Sequence, residues 1–164
     1  MRDIKFRGYF EPDKIWLYGN LVSYKEGFKM IYYQNPNEAF MYGDVVDNKS
    51  VGQYTGIKDV NGKEIYEGDI LHVTEHENEL IKTFGCKAEF DAFTLAECAG
   101  KKEKDYVTSI RFCEGGFVFK DEKGCDTDLC VLAGDQRTSS PVHIFDVIGN
   151  VYEHPEIANA SSKC

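Results

Sequence analysis

The amino-terminal part of the chain alternates apolar and polar residues with the period of β-strands. In residues 4–10, apolar side chains and one glycine occupy the even positions, and more polar side chains occupy the odd positions. This period of two is typical of a strand with one face toward solvent. Residues 11–14 combine Pro with Asp, which favours a turn, and strand-like segments follow at 15–24 and 28–33. The pattern therefore predicts a β-meander.

A short unit of Gly, then Asn or Asp, then two mostly apolar residues occurs four times, at Gly19, Gly43, Gly68 and Gly149. Gly permits positive φ, and Asn or Asp side chains bond nearby backbone groups. The unit therefore predicts a turn or bulge at which a strand begins or bends. The flanking sequences do not repeat, which favours shared turn chemistry over a repeat architecture.

The segment around Asn61-Gly62 fits two interpretations. Asp59, Asn61 and Glu64 could supply oxygens to a calcium ion, but an EF-hand loop needs its glycine at position six and an acid at position twelve. Counted from Asp59, Gly62 comes fourth and Ile70 comes twelfth. Because Asn-Gly between apolar residues is a strong signal of a tight turn, we predict a hairpin turn here.

Residues 75–105 interrupt the strand pattern. Phe90–Ala99, followed by Gly100, fits a short helix that ends at a C′ glycine. The alternation that begins at Cys86 fits the start of another strand equally well. The sequence leaves both alternatives open for this segment.

Strand patterns resume after this segment. Tyr106–Phe112 and Phe117–Lys120 flank the turn residues 114–116 and predict a hairpin. Two further strands are predicted near the carboxyl end, at Leu129–Leu132 and Phe145–Tyr152.

Length and composition fit one mainly β domain. The chain has 164 residues, of which 42% are hydrophobic and 29% charged, and these values are ordinary for a globular domain with its own core. Its 10 Tyr, 11 Phe and 15 Gly favour half-buried sheets and tight turns. Because the residues from Asn159 onward are small and polar, we expect the domain to span residues 1–157 and a flexible tail to occupy 158–164.

The charge balance argues against phosphate-rich partners. With 19 basic and 28 acidic side chains, the net charge is −9, whereas nucleic acids and anionic membranes attract Lys and Arg. Mimicry of DNA by the acidic surface is the opposite alternative. No segment approaches the roughly 18 consecutive apolar residues of a membrane span, and the first residues lack a secretory apolar stretch. We therefore expect a cytoplasmic protein with reduced thiols and no membrane partner.

No sequence pattern points to a metal, cofactor or catalytic group. The six cysteines form no C-x-x-C pair, and the closest two, Cys125 and Cys130, have four residues between them, so free thiols are expected. His72 and His76 have the spacing of two metal ligands on a helix, but Glu75 directly precedes the second histidine, unlike the H-E-x-x-H motif, and the preceding residues predict a strand. G-x-S-x-G and phosphate-loop motifs are absent. We expect no catalytic residue, cofactor or metal.

Three segments of the chain carry a specific combination of residues. They are Lys5-Phe6-Arg7-Gly8 with Trp16–Leu21 downstream, the segment 51–70, and the segment 147–156. Together they resemble the YopX-like family of phage and prophage proteins over residues 4–157, with 75–105 as an insertion. The resemblance implies a β-rich fold that contains a small SH3-like barrel, and a phage or prophage origin. It implies no catalytic residue.

The function that we expect is that of a non-enzymatic, self-associating binding or scaffold domain. An aromatic-rich meander leaves open sheet edges, which pairing into a homo-oligomer would cover unless the insertion covers one within the chain. A phage or host protein is the other expected partner. The candidate interaction surface consists of Arg7, Lys14, Trp16, Tyr54 and Tyr66, because Tyr, Trp and Arg are favoured at interfaces.

Two other functions are alternatives. The first is a nucleic-acid-binding module that uses the amino-terminal basic patch of Arg2, Lys5, Arg7 and Lys14. The second is an enzyme whose site no motif marks.

Overall fold

The structure, a computed structural model, describes residues 4–35, 39–76, 103–121, 123–129 and 142–160. These residues form twelve strands and one short helix. In chain order the elements are β1 (Phe6–Phe10), β2 (Ile15–Ser23), β3 (Lys29–Gln34), β4 (Met41–Val46), β5 (Gly52–Lys58), β6 (Glu64–Tyr66), β7 (Asp69–His76), β8 (Glu103–Ser109), β9 (Arg111–Cys113), β10 (Gly116–Lys120), β11 (Asp126–Asp128), β12 (Val142–Asn150) and α1 (Pro155–Ala160).

The predicted meander is confirmed as β1, β2 and β3, and β4 extends it. Neighbouring strands are antiparallel, and β1 and β2 place Arg7 opposite Tyr18 and Tyr9 opposite Trp16. The turn between them holds Lys14 at a φ of 56°. β1 pairs on its other side with β5, which gives a six-stranded sheet of order β4-β3-β2-β1-β5-β6. Most of this sheet therefore pairs strands that are adjacent in the chain.

The tight turn predicted at Asn61-Gly62 is confirmed. Gly62 has a φ of 80°, and Asp59 Oδ1 accepts the backbone N–H groups of Asn61 and Lys63 at 2.9 and 2.8 Å. The other oxygen, Asp59 Oδ2, accepts the N–H of Val147 at 3.2 Å. Because both carboxylate oxygens of Asp59 bind backbone groups, this carboxylate stabilises a turn and does not face an ion.

A second sheet has the order β12-β7-β8. The bulge predicted from the glycine unit at Gly149 is confirmed, because the register of β12 against β7 shifts between Val147 and Gly149. β7 leads into the predicted insertion and β8 leads out of it. Residues 77–102 lie outside the described residues, and so do the helix and strand alternatives for them.

The hairpin predicted over residues 106–120 is confirmed only in its second half. β9 and β10 pair across a turn in which residues 114 and 115 have positive φ. The continuous strand predicted from Tyr106 to Phe112 is wrong, because the chain leaves β8 at Ile110 and enters a different sheet, of order β11-β10-β9. Ile110 is buried, donates its N–H to Asp69 and accepts the N–H of Gly68. These two long-range hydrogen bonds break the strand at this residue.

The carboxyl-terminal elements differ in position from the prediction. The structure has a strand, β11, directly before the strand predicted at Leu129–Leu132, and residues 130–132 of that prediction lie outside the described residues. The last strand runs over Val142–Asn150, three residues earlier at its start than the predicted Phe145–Tyr152. The short helix α1 was not predicted.

Two hydrophobic clusters support the sheets. The larger one joins β6, β7, β10 and β12 through Ile65, Leu71, Val73, Ile110, Phe117, Phe119, Leu129 and Val147. The smaller one lies under the meander and contains Leu17, Ile31 and Val46. The meander therefore has its own small core, beside the core of the remaining sheets.

The mainly β class predicted from the sequence is confirmed, since strands hold 62% of the described residues. The sheets of these residues are antiparallel and do not close into a barrel, so the SH3-like detail stays a prediction. The single domain over 1–157 and the tail also stay predictions. Among the described residues, no helix is long and apolar enough to cross a membrane.

Candidate functional site

The three segments behind the family resemblance meet at one place, which we call the junction. Its side chains are Arg7, Trp16, Tyr66, Asp69 and Tyr152. Backbone hydrogen bonds join the segments: the N–H of Tyr54 donates to the carbonyl of Lys5 at 2.8 Å, and the carbonyl of Gly68 accepts the N–H of Val151 at 2.8 Å. Gly68 has a φ of 82°, which a residue with a Cβ rarely adopts.

A buried ion pair lies at the centre of the junction. Arg7 Nη1 lies 2.6 Å from Asp69 Oδ1, and the two side chains are 7% and 1% exposed. Arg7 Nη2 donates to the carbonyl of Glu67 at 3.2 Å, and Asp69 Oδ2 accepts the N–H of Tyr66 at 2.8 Å. Burial raises the pKa of the Asp69 carboxyl, while the charge of Arg7 and the N–H of Tyr66 oppose this rise. The charge of Arg7 is therefore compensated inside the chain.

Aromatic rings enclose the guanidinium of Arg7. Its Cζ lies 4.7 Å from the ring centroid of Trp16 and 5.2 Å from that of Tyr66. Trp16 in turn contacts Tyr9 and Tyr152, with ring centroids 5.4 and 5.9 Å apart. Arg7 thus takes the place that an external cation would take in an aromatic cage.

Tyr152 connects the third segment to the meander. Its hydroxyl lies within hydrogen-bond distance of Glu11 Oε1, at 2.8 Å, and of Asp47 Oδ2, at 3.2 Å. Burial, together with the hydrogen bond to Glu11 and the charge of Asp47, raises the pKa of the Tyr152 hydroxyl. The phenol therefore keeps its proton at neutral pH and serves as a donor rather than a base.

A second ion pair lies beside the junction. Lys5 Nζ pairs with Glu64 Oε1, and Glu64 Oε2 accepts the hydroxyl of Tyr66 at 2.7 Å. Burial raises the pKa of Glu64, but the hydrogen bonds from Lys5 and Tyr66 outweigh it, so that the pKa of Glu64 lies below its ordinary value. Burial and the bond to Glu64 raise the pKa of Tyr66. Lys5 Nζ also lies 5.4 Å from the ring centroid of Tyr54.

The five residues predicted as an interaction surface do not share one exposed surface. Arg7, Tyr54 and Tyr66 are buried. Trp16 is half-buried within the junction, and Lys14 is exposed in the turn between β1 and β2. The structure therefore brings Arg7, Trp16 and Tyr66 together, but as packed interior groups.

Sequence reasoning missed Asp69, Glu64 and Tyr152 as partners of these residues. Asp69 belongs to the Gly-Asp unit of the most specific family segment, and Tyr152 belongs to the third segment. An acid in a segment of such specificity could have been matched to the basic residue of the first segment. Sequence alone does not show which acid among 28 acidic side chains makes the pair.

Two of the four amino-terminal basic residues are compensated by acidic partners. Lys5 pairs with Glu64 and Arg7 with Asp69, and Arg2 lies outside the described residues. A phosphate backbone needs basic side chains that are free to reach it. The arrangement of these described residues does not favour nucleic-acid binding.

The histidine and cysteine candidates remain separate in the described residues. His72 and His76 both belong to β7, and four residues of a strand separate their backbones by about 13 Å. His72 Nε2 lies 3.7 Å from Asp105 Oδ1. Cys113 and Cys125 are free thiols. No group of three or more His, Cys, Asp or Glu side chains among the described residues is placed to hold a metal ion.

Comparisons with known proteins agree with this fold. A family model described as YopX protein matches residues 5–158. The crystal structure of protein yopX from Bacillus subtilis is similar, with a TM-score of 0.51 and 17% identity over 96% of this chain and 98% of that chain. Protein EF1440 from Enterococcus faecalis is 20% identical, with a TM-score of 0.46, over 96% of this chain and 99% of that chain. No curated protein matches the chain. At this identity, the likeness to yopX shows the fold alone.

Proposed function

This chain belongs to the YopX family, and we propose that it acts as a non-enzymatic binding or scaffold domain that associates with further copies of itself. We also propose a phage or prophage origin and a location in the cytoplasm of the host bacterium. A protein of the phage or the host is the second proposed partner.

The observation that carries the proposal is the position of the exposed, large apolar side chains. Of the twelve such side chains among the described residues, seven lie within residues 15–45: Ile15, Tyr18, Val22, Phe40, Met41, Tyr42 and Val45. Phe40 is 73% exposed and Met41 is 58% exposed. Four of them, Tyr18, Val22, Met41 and Val45, lie on one face of the strands β2, β3 and β4. Single apolar side chains are normal on a surface, whereas several on one face mark an interaction site.

The junction supports the non-enzymatic part of the proposal. A catalytic acid or base must reach the atom from which it takes a proton or to which it gives one. The ionisable groups of the junction instead bind one another: Arg7 pairs with Asp69, and Tyr152 donates toward Glu11 and Asp47. Such pairing supports a role in holding the three segments together.

Light scattering of the full chain tests the proposal. We expect a mass at a small integer multiple of 18.6 kDa, and we expect that multiple to fall as the protein is diluted. Added salt should preserve or strengthen the association, because it screens the repulsion between copies of charge −9. A mass of one chain at every protein and salt concentration would contradict self-association.

A further inference from the structure

One face of the strands β2, β3 and β4 carries no charged side chain. Residues at alternate positions of β2, β3 and β4 point away from the smaller hydrophobic cluster, and we call this set the neutral face. Its members are Tyr18, Asn20, Val22, Met30, Tyr32, Gln34, Met41, Gly43 and Val45. The charged residues of the same strands, Lys29 and Asp44, lie at the intervening positions. Because 29% of the residues in this chain are charged, a sheet face without any charged side chain is unusual for it.

The neutral face is arranged in cross-strand rows. Val22 lies opposite Met30, and Met30 lies opposite Val45, so that one row across the three strands is entirely apolar. Val45 is 51% exposed and Val22 is 39% exposed. Apolar and aromatic side chains with Met, and without charge, are the composition of the centre of a protein interface.

The next row places an aromatic ring over a glycine. Asn20 lies opposite Tyr32, and Tyr32 lies opposite Gly43. A Cβ at Gly43 would come within 2.7 Å of Cε1 of Tyr32, so the ring of Tyr32 lies over the glycine. The hydroxyl of Tyr32 is held by that of Tyr24 at 2.9 Å. A sheet face whose large ring lies down over a neighbouring glycine suits packing against another sheet.

We propose that the neutral face binds the same face of a second copy of this chain. The inference rests on the proposed self-association and assigns a surface to it. Each copy carries a net charge of −9, and like charges brought together at an interface oppose association. Two neutral faces bring no carboxylates into contact. The face also has no Lys or Arg to attract nucleic acid and no acid to attract a basic peptide. Its electrostatic match is therefore another uncharged face, and a second copy of the chain supplies one.

The geometry of such a pair follows from sheet packing. Two sheets pack face to face about 10 Å apart with strand directions about 30° apart, and a two-fold axis presents the same residues on both sides. Three strands spaced by about 4.8 Å, with about five residues of 3.3 Å each, cover roughly 14 by 17 Å. This area is small beside the roughly 800 Å² per partner of a standard interface. The pair should therefore form and dissociate with protein concentration.

Charge placed on the neutral face tests the inference. Val45→Lys on β4 and Val22→Lys on β2 would each place one ammonium group per copy on the neutral face, so that two like charges are brought into the interface of the pair. We expect each to raise the dissociation constant of the pair about tenfold or more, because a buried like-charge contact costs several times the thermal energy. The matched control is Val60→Lys, since Val60 is 55% exposed in the hairpin turn at 59–62. It should leave the dissociation constant unchanged.

Two measurements separate the outcomes. Sedimentation velocity over a wide concentration range gives the dissociation constant, and circular dichroism establishes that each variant is folded. Nuclear magnetic resonance of methionine methyl groups adds a local readout: the signals of Met30 and Met41 should shift with concentration in the wild type and stay constant in Val45→Lys.

The result also distinguishes this inference from the proposed function. If the wild type pairs but both face variants pair equally well, or if Val60→Lys weakens pairing as much, the neutral face is not the interface, while self-association stands. If the wild type stays a single chain at every concentration, both are overturned. A neutral face that is occupied by a different protein, with no pairing of the chain alone, would likewise overturn the inference.

Discussion

The junction and the neutral face are both rich in aromatic residues, yet they use them in opposite ways. In the junction, rings surround a charged pair that is removed from water, and the two ionised groups, Arg7 and Asp69, pair with each other within the chain. On the neutral face, rings and aliphatic side chains meet solvent without any charge. The first arrangement completes the fold of one chain. The second leaves apolar surface exposed, which favours contact with another molecule.

The difference shows that residue type alone does not locate an interaction surface. Arg, Trp and Tyr are enriched at interfaces, but the same types also fill the interior of a small β domain. Arg7 and Tyr66 belong to the segments of family resemblance and are buried, whereas Val22 and Val45 lie outside those segments and are exposed. The family segments that contain Arg7 and Tyr66 therefore hold the buried junction.

The largest expected effect comes from removing one partner of the buried ion pair. Arg7→Met leaves the Asp69 carboxylate buried without its cation, and we expect a loss of about 3–5 kcal/mol in the free energy of unfolding. Urea unfolding at neutral pH measures it. Lys14→Met, an exposed change in the turn before β2, is the control and should stay within about 0.5 kcal/mol of the wild type.

A second variant sharpens this expectation. Arg7→Met combined with Asp69→Asn removes the uncompensated charge and keeps an oxygen to accept the N–H of Tyr66, so it should be more stable than Arg7→Met alone. If Arg7→Met and Lys14→Met have equal stability, the junction does not hold the segments together as we describe.

An intermediate effect is expected from two glycines, Gly52 beside the junction and Gly43 on the neutral face. A Cβ at Gly52 would meet the backbone carbonyl of Glu67, whereas a Cβ at Gly43 would meet the movable ring of Tyr32. We expect Gly52→Ala to destabilise the chain by about 1–3 kcal/mol, and Gly43→Ala to cost less, because a side chain yields more easily than backbone. Thermal unfolding measures both.

The glycine comparison has its own control and a second readout. Gly116→Ala places its Cβ at an ordinary 3.5 Å from Asp128 and should change stability least. Gly43→Ala should also weaken pairing between copies, because the added Cβ displaces the ring of Tyr32 on the neutral face. The reverse order, with Gly43→Ala the more destabilising, would contradict the difference between the two regions.

Local patterns in the sequence predicted the local parts of the fold. The alternation in 4–33 and the Asn61-Gly62 turn depend on neighbouring residues, and both are confirmed. The break at Ile110 was missed because it results from hydrogen bonds to Asp69 and Gly68, about forty residues away in the chain. Hydrogen bonds between residues so far apart in the chain produce no periodic pattern in the sequence.

The candidate site was less predictable for the same reason. Arg7 was singled out as part of an interaction surface, but it is buried, and its burial depends on Asp69 and on the rings of Trp16 and Tyr66, which three different strands supply. The neutral face was equally hidden, because it appears only when the registers of three strands place Val22, Met30 and Val45 in one row.

The smallest expected effect concerns the pair of Lys5 and Glu64, at the margin of the junction. The pKa of Glu64 is lowered in the folded chain from an ordinary value of 4.5. A carboxyl with a lowered pKa stabilises the fold above its unfolded pKa, and this contribution is lost as pH falls through the folded pKa. Glu64→Gln should therefore be less stable than the wild type at neutral pH by up to about 1 kcal/mol, the usual range for a partly exposed pair.

The same variant should match the wild type more closely once the pH lies below the lowered pKa of Glu64, because the wild-type carboxyl is then protonated and has lost its attraction to Lys5. Lys5→Met is the matched control, since it removes the cation and keeps the hydrogen bond between Tyr66 and Glu64. It should reduce the pH dependence in the same direction. Urea unfolding of the three proteins at neutral and acidic pH measures these differences. A stability difference between Glu64→Gln and the wild type that is constant with pH would mean that Glu64 contributes through its hydrogen bond to Tyr66 and not through its charge.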